Sequence, residues 1–281
     1  MTKILLPTDF SDNSWNAIKY ALQLYKNDTC VFTLLNTYTP LIYQYQDIND
    51  SVFEMELIET TAKASKDKLE TLVEKIEQEF NNPIHTFAQI SSFNTLTDEI
   101  KSLYKANVMD LIVMGTKGAT GLQEVLFGSN TIHVLKHAKC PIIAVPSGFE
   151  FETPRELLFP SDYQIDFQDK QLQPIIDIAT SYQSRINILN VRYQEELTEV
   201  QKKNRDTLEH YFTKTAHLFH EVHNQNVPEA ITTFQLKTPI NLLVMINNKH
   251  SFFENLFFKS NINQIGFHLT IPFLVIPSTF K

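Results

Sequence analysis

The chain has 281 residues, 43% of them hydrophobic, which suits two compact domains of ordinary size. Its net charge of −8 would set acidic surface against phosphate, and this argues against nucleic acid as the main partner. No stretch reaches the roughly 20 apolar residues of a membrane span, and the N-terminus enters a strand at once, so neither a membrane segment nor a signal peptide is expected.

Ile4–Leu6 reads as a first strand, followed by a helix over Asn13–Lys26 with Ala17, Ile18, Ala21, Leu24 and Tyr25 on one face. Val31–Leu35 is the second strand. Thr37–Asp50 is irregular, and its Tyr43 and Tyr45 suit a lid or an interface. A long charged helix over Ser51–Phe80 stops at Asn81-Asn82-Pro83. His85–Ile90, Leu96–Lys105, Leu111–Met114, Ser129–His137 and Ile142–Val145 then read strand, helix, strand, helix, strand. Such alternation implies parallel strands joined by right-handed crossovers. Ser147–Arg155 is a linker with Gly and Pro punctuation. Beyond it, strands are expected near Leu157–Phe159, Ile186–Leu189, Leu242–Met245 and Phe273–Ile276, with a less distinct one within Ala216–His223. Pro174 should make the intervening helix start late or kink.

The densest signal is Met114–Val145. Gly115, Gly118, Gly128 and Ser129 follow an apolar strand at spacing G-x2-G-x9-G-S and lead into a helix. Glycines at a strand end let a backbone approach a phosphate, and the N–H groups of a helix's first turn point at the anion. This spacing resembles the nucleotide-binding signature of the universal stress protein family. Lys3–Ser11, with Pro7-Thr8-Asp9, resembles that family's first strand, and Cys140–Pro146 its last. The resemblance implies an α/β, Rossmann-like fold of the adenine nucleotide alpha hydrolase-like type, each domain a five-stranded parallel sheet of order 3-2-1-4-5 with helices on both faces. In that order Asp9 and Gly115 share the crevice where the winding reverses, which is where open α/β sheets bind ligands.

The pattern recurs. Asp110-Leu111-Ile112-Val113-Met114 maps onto Asn241-Leu242-Leu243-Val244-Met245, and Pro7-Thr8-Asp9-Phe10 onto Pro160-Ser161-Asp162-Tyr163. The chain therefore reads as a tandem universal stress protein: residues 1–148 carry the intact motif, and residues 153–281 form a degenerate copy. In that copy Gly115, Gly118 and Gly128 become Ile246, Lys249 and Lys259, while Ser129 persists as Ser260. β-Branched Ile resists positive φ and fills the phosphate's place.

The resemblance then implies an ATP-binding stress-response regulator or sensor, with nucleotide in the first domain only. Gly115, Gly118, Gly128, Ser129 and Asn130 would hold the phosphates, Asp9 and the Thr8 backbone the nucleoside, and Leu35 and Met114 the apolar walls. Mg²⁺ is an optional bridge between phosphates, and no catalytic residue is assigned. A slow ATPase is the rival from another class, but no Walker lysine pattern or general base is evident. A third reading is a pseudo-dimer without nucleotide, which binds an apolar ligand or partner through Phe252, Phe253, Phe257 and Phe258. By resemblance the two last strands should pair within the chain, and a homodimer is left open. The nine-residue linker could span about 30 Å if extended. Cys30 and Cys140, with no CxxC, read as reduced packing residues, in keeping with a cytoplasmic setting. His217, His220 and His223 recur every third residue, but no evident further ligand completes a metal site.

Overall fold

Apolar runs and amphipathic segments alternate into two units, Met1–Glu150 and Phe151–Lys281. The computed structural model describes residues 1–39, 51–117, 127–137, 139–192, 196–247 and 270–278. Tyr43, Tyr45, Gly118, Lys249, Phe252, Phe253, Phe257, Phe258, Lys259 and Ser260 lie outside the described residues.

The first unit runs β1 (Thr2–Pro7), α1 (Asp12–Leu24), β2 (Cys30–Tyr38), α2 (Ser51–Phe80), β3 (His85–Phe93), α3 (Leu96–Lys105), β4 (Leu111–Gly115), α4 (Ser129–His137) and β5 (Ile142–Val145). Its strands are all parallel, in the order β3-β2-β1-β4-β5. Right-handed crossovers put α1 and α2 on one face and α3 and α4 on the other. Consistent with this, α1 packs on β1, β4 and β5, α2 on β2 and β3, and α3 against α4. Both faces of the central strands are thereby covered, so Ile4–Leu6 and Leu111–Met114 are continuously buried rather than alternating. Full burial of each such Leu or Ile side chain is worth about 1.5–3 kcal/mol.

Helix starts follow their caps. Ser11 accepts from the Ser14 N–H at the start of α1, and Thr95 accepts from the Asp98 N–H at the start of α3. Strands β2 and β3 run three residues further than their apolar cores suggest. Their pairing continues through Asn36–Ser91 and Thr37–Ser92 to Tyr38–Phe93. These polar residues sit where the sheet opens toward the crevice.

The second unit runs β6 (Glu156–Pro160), α5 (Asp169–Tyr182), β7 (Arg185–Arg192), α6 (Glu199–Phe212), β8 (Ala216–His223), α7 (Val227–Lys237), β9 (Leu242–Asn247) and β10 (Phe273–Pro277). Its own strand order is β10-β9-β6-β7-β8, again all parallel, so counted within the unit it is 3-2-1-4-5. Helix α5 contains Pro174 and starts at Asp169, later than α1 does by the 153-residue offset of Pro7 to Pro160. The Gln168 N–H donates to Gln171 Oε1 at 3.0 Å and secures that delayed start.

Candidate functional site

In the first unit, the crevice lies at the carboxyl ends of β1 and β4, on either side of the point where the winding reverses. A cavity of about 100 Å³ is lined there by Thr8, Asp9, Leu35, Met114, Gly115 and Asn130, all of them named by the family resemblance. Pro7, Ser14, Thr37, Leu96, Lys117 and Thr131 complete the lining. Gly128 and Ser129 lie beside the cavity rather than in its wall, at the start of α4. Gly118 lies outside the described residues.

The floor is built by hydrogen bonds that extend the sheet past its strands. The Thr8 N–H donates to Leu35 O at 2.8 Å, and Asn36 Nδ2 donates to Thr8 O at 2.8 Å. Asn36 Oδ1 accepts from Ser65 Oγ at 2.8 Å, and Ser65 Oγ in turn accepts from Ser91 Oγ at 2.8 Å. This chain, buried as far as Ser65 and half-buried at Ser91, ties β1, β2, α2 and β3 together beneath the site. Thr8 Oγ1 accepts from the Phe10 N–H at 3.0 Å and lies 3.0 Å from Ser14 Oγ. Phe10 is thereby held at φ 63°, a conformation uncommon outside glycine. Asp9 is exposed, and its Oδ1 accepts from both the Ser11 N–H and Ser11 Oγ. That carboxylate therefore steadies the cap of α1 while facing the crevice.

On the other wall, Gly128 brings no side chain to cap α4. Its N–H donates to Thr116 O at 2.7 Å, and its carbonyl accepts from the Ile132 N–H at 3.0 Å. The first turn of α4 holds no acidic residue, and the last holds Lys136 and His137. The charge distribution leaves the positive end of the helix dipole toward the crevice, an arrangement suited to an anion. Thr131 Oγ1 donates to Gly115 O at 3.0 Å and anchors the helix start to β4.

The second unit repeats the strand exit and changes the rest. The Ser161 N–H donates to Leu189 O at 2.9 Å, Asn190 Nδ2 to Ser161 O at 2.8 Å, and the Tyr163 N–H to Ser161 Oγ at 3.2 Å, with Tyr163 at φ 56°. Where β4 ends at Gly115, however, β9 continues through buried Ile246 to Asn247. From α6, Gln201 Nε2 donates to Asp162 O at 2.9 Å and Asn204 Nδ2 to Tyr163 O at 2.8 Å.

Burial pushes the Asp162 carboxyl above the usual Asp value, against the opposing pull of the Gln164 N–H on its oxygen. Above that raised value the ionised form penalises folding, and the penalty fades as pH falls through it. Asp162→Asn keeps the acceptor for Gln164 and should raise the Tm of the second unit at pH 7. The gain should shrink toward pH 4. A gain unchanged between the two pH values in thermal scans would refute burial as the cause.

Both cysteines are buried, and burial raises their thiols to about 11 for Cys30 and about 12 for Cys140, values that suppress the reactive thiolate. In β8 alternate residues face opposite sides, so His220 points away from His217 and His223. His217 Nε2 lies 3.2 Å from Glu209 Oε1, and His220 Nε2 lies 3.0 Å from Asn187 Oδ1. Among the described residues no cluster of metal-ligating side chains occurs.

The profile of the Universal stress protein family matches residues 1–146. Universal stress protein MJ0531 of Methanocaldococcus jannaschii is 31% identical over 150 residues, covering 51% of this chain and 81% of that protein. Universal stress protein MJ0577 of the same organism is 30% identical over 157 residues, covering 51% of this chain and 93% of that protein. A universal stress protein from Archaeoglobus fulgidus shares the fold over 99% of this chain and 98% of its own, with a TM-score of 0.68 at 17% identity.

Proposed function

The chain belongs to the universal stress protein family, and from that premise we propose that it binds an adenine nucleotide, ATP, in the first unit and acts as a cytoplasmic stress-response regulator. The observation that carries this reading is the convergence of Thr8, Asp9, Leu35, Met114, Gly115 and Asn130, from four separate segments, on one cavity at the switch point. The lining brings the nucleoside residues Thr8, Asp9 and Leu35 together with Gly115 and Asn130 of the phosphate loop, and Gly128 and Ser129 stand beside them at the start of α4. Gly118 is assigned to the same phosphate loop from the motif. Asp9 is the single carboxylate among the described lining residues, and its Oδ1 is engaged by Ser11. That supplies neither a metal cage nor an evident general base, which favours binding over turnover and leaves a bridging Mg²⁺ to the phosphates themselves.

In the same reading, residues 153–281 are a second, degenerate universal stress protein domain beside the intact one of residues 1–148. The last strand of each, β5 and β10, pairs with the other within the chain. Native mass spectrometry of protein purified without added nucleotide tests the binding reading. An adduct with the mass of an adenine nucleotide, or its appearance on adding ATP, is expected. A bare chain that takes up no ATP at millimolar concentration would end it.

A further inference from the structure

The first glycine of the loop signature has a partner outside that signature. Gly115 does not adopt a positive φ, so conformational freedom is not what requires glycine there. A Cβ at Gly115 would lie 2.6 Å from Asn13 Nδ2, 2.9 Å from Asn13 Cγ and 3.1 Å from Asn13 O. Contacts that short exclude any side chain unless Asn13 moves. Asn13 sits in the first turn of α1, is buried, and donates from Nδ2 to Lys117 O, two residues beyond the end of β4.

Nothing in α1 itself calls for this asparagine. Ser11 already caps the helix, and Asn is a weaker helix former than Ala. Its Oδ1 is buried without a hydrogen-bond partner among the described residues, a cost that an apolar side chain would avoid. In the second copy both members of the pair are lost: Ile246 stands at the place of Gly115, and no asparagine occurs between Asp162 and Tyr182, the stretch that leads into and forms α5. The half that keeps the glycine cradle is the half that keeps the asparagine.

We propose that Asn13 is a positioning residue for the phosphate end of the nucleotide site. Lodged against Gly115 and bonded to the Lys117 carbonyl, it sets the direction in which the chain leaves β4. Lys117 lines the cavity and Asn13 does not, so Asn13 acts through the loop rather than on the ligand. This assignment rests on the nucleotide reading above and deepens it.

The test pairs ligand affinity with a stability cycle in the full chain. Asn13→Ala should weaken ATP binding about tenfold, the scale of one lost hydrogen bond at an otherwise intact site, and leave adenosine binding within about twofold. A merely structural role would weaken both ligands alike, and that result, or undiminished ATP affinity, overturns the proposal. Gly115→Ala should lower Tm in the wild-type background and distinctly less in the Asn13→Ala background, where the clash is largely removed. Equal drops in both backgrounds overturn the packing half. The cycle needs no nucleotide. If the wild-type chain binds neither ligand while the coupling persists, the nucleotide reading fails and takes the ligand role of Asn13 with it, but the lock between Asn13 and Gly115 stands.

Discussion

Asn36→Leu should destabilise the first unit by about 2–4 kcal/mol, and Asn190→Leu the second by about half as much. Leucine keeps the asparagine's branched shape but is bulkier, so the difference between the two variants, rather than either loss alone, reads out hydrogen bonding. In the first unit the change strands two buried groups, because Asn36 both donates to Thr8 O and accepts from Ser65 Oγ. In the second unit Asn190 donates to Ser161 O, but its Oδ1 is already buried without a partner, so only one group is stranded. Each stranded buried polar group costs about 1–3 kcal/mol. Trp15, the single tryptophan, lies in α1, and its fluorescence in a urea titration follows the first unit selectively. Far-UV circular dichroism follows the whole chain. Equal losses for the two variants would show that the chain through Ser65 and Ser91 contributes nothing. The Asn36 variant should also weaken nucleotide binding, since it frees the backbone at Thr8 on the crevice floor.

The separated first domain, residues 1–148, should self-associate or precipitate at concentrations where the full chain stays dispersed. The first unit's own sheet ends on β5, the unbroken apolar run Ile142-Ile143-Ala144-Val145. A strand at a sheet edge offers a row of backbone donors and acceptors to any other chain, and an apolar run there carries no charge to discourage pairing. If β5 and β10 pair within the chain, cutting at the linker removes the partner and exposes that row. Analytical ultracentrifugation of the fragment decides the matter. A fragment that stays monomeric and soluble at high concentration contradicts the proposed pairing.

The strand cores were legible because β1, β4, β5, β6, β9 and β10 are buried on both faces and so appear as uninterrupted apolar runs. The ends of β2 and β3 were not. Asn36, Thr37, Ser91 and Ser92 break the apolar run, and it is their position beside the crevice that puts polar residues in a strand. Strand β8 gave only a faint signal, since as the outer strand of its unit it has no fully buried residue and carries three histidines. At the site, the family resemblance named Thr8, Asp9, Leu35, Met114, Gly115 and Asn130, and all six line the cavity. Ser14, Thr37, Leu96 and Thr131 were missed because helix starts and strand register, not a local motif, deliver them to the cavity, whereas Lys117 lies within the G-x2-G spacing itself. Alternation along β2 could have flagged Thr37, which lies two residues after Leu35 and so on the same face. The reason for glycine at position 115 was beyond any local reading, because the atom that excludes a side chain belongs to Asn13, far away in the chain.

By the proposed function, one half of this chain keeps a nucleotide site and the other has lost it. Calorimetric titration of the full chain with ATP tests this most directly. Gly115 ends β4 at the open crevice, whereas Ile246 continues β9 as a buried residue. About one ATP per chain is expected. Two equivalent sites, or none, would contradict it.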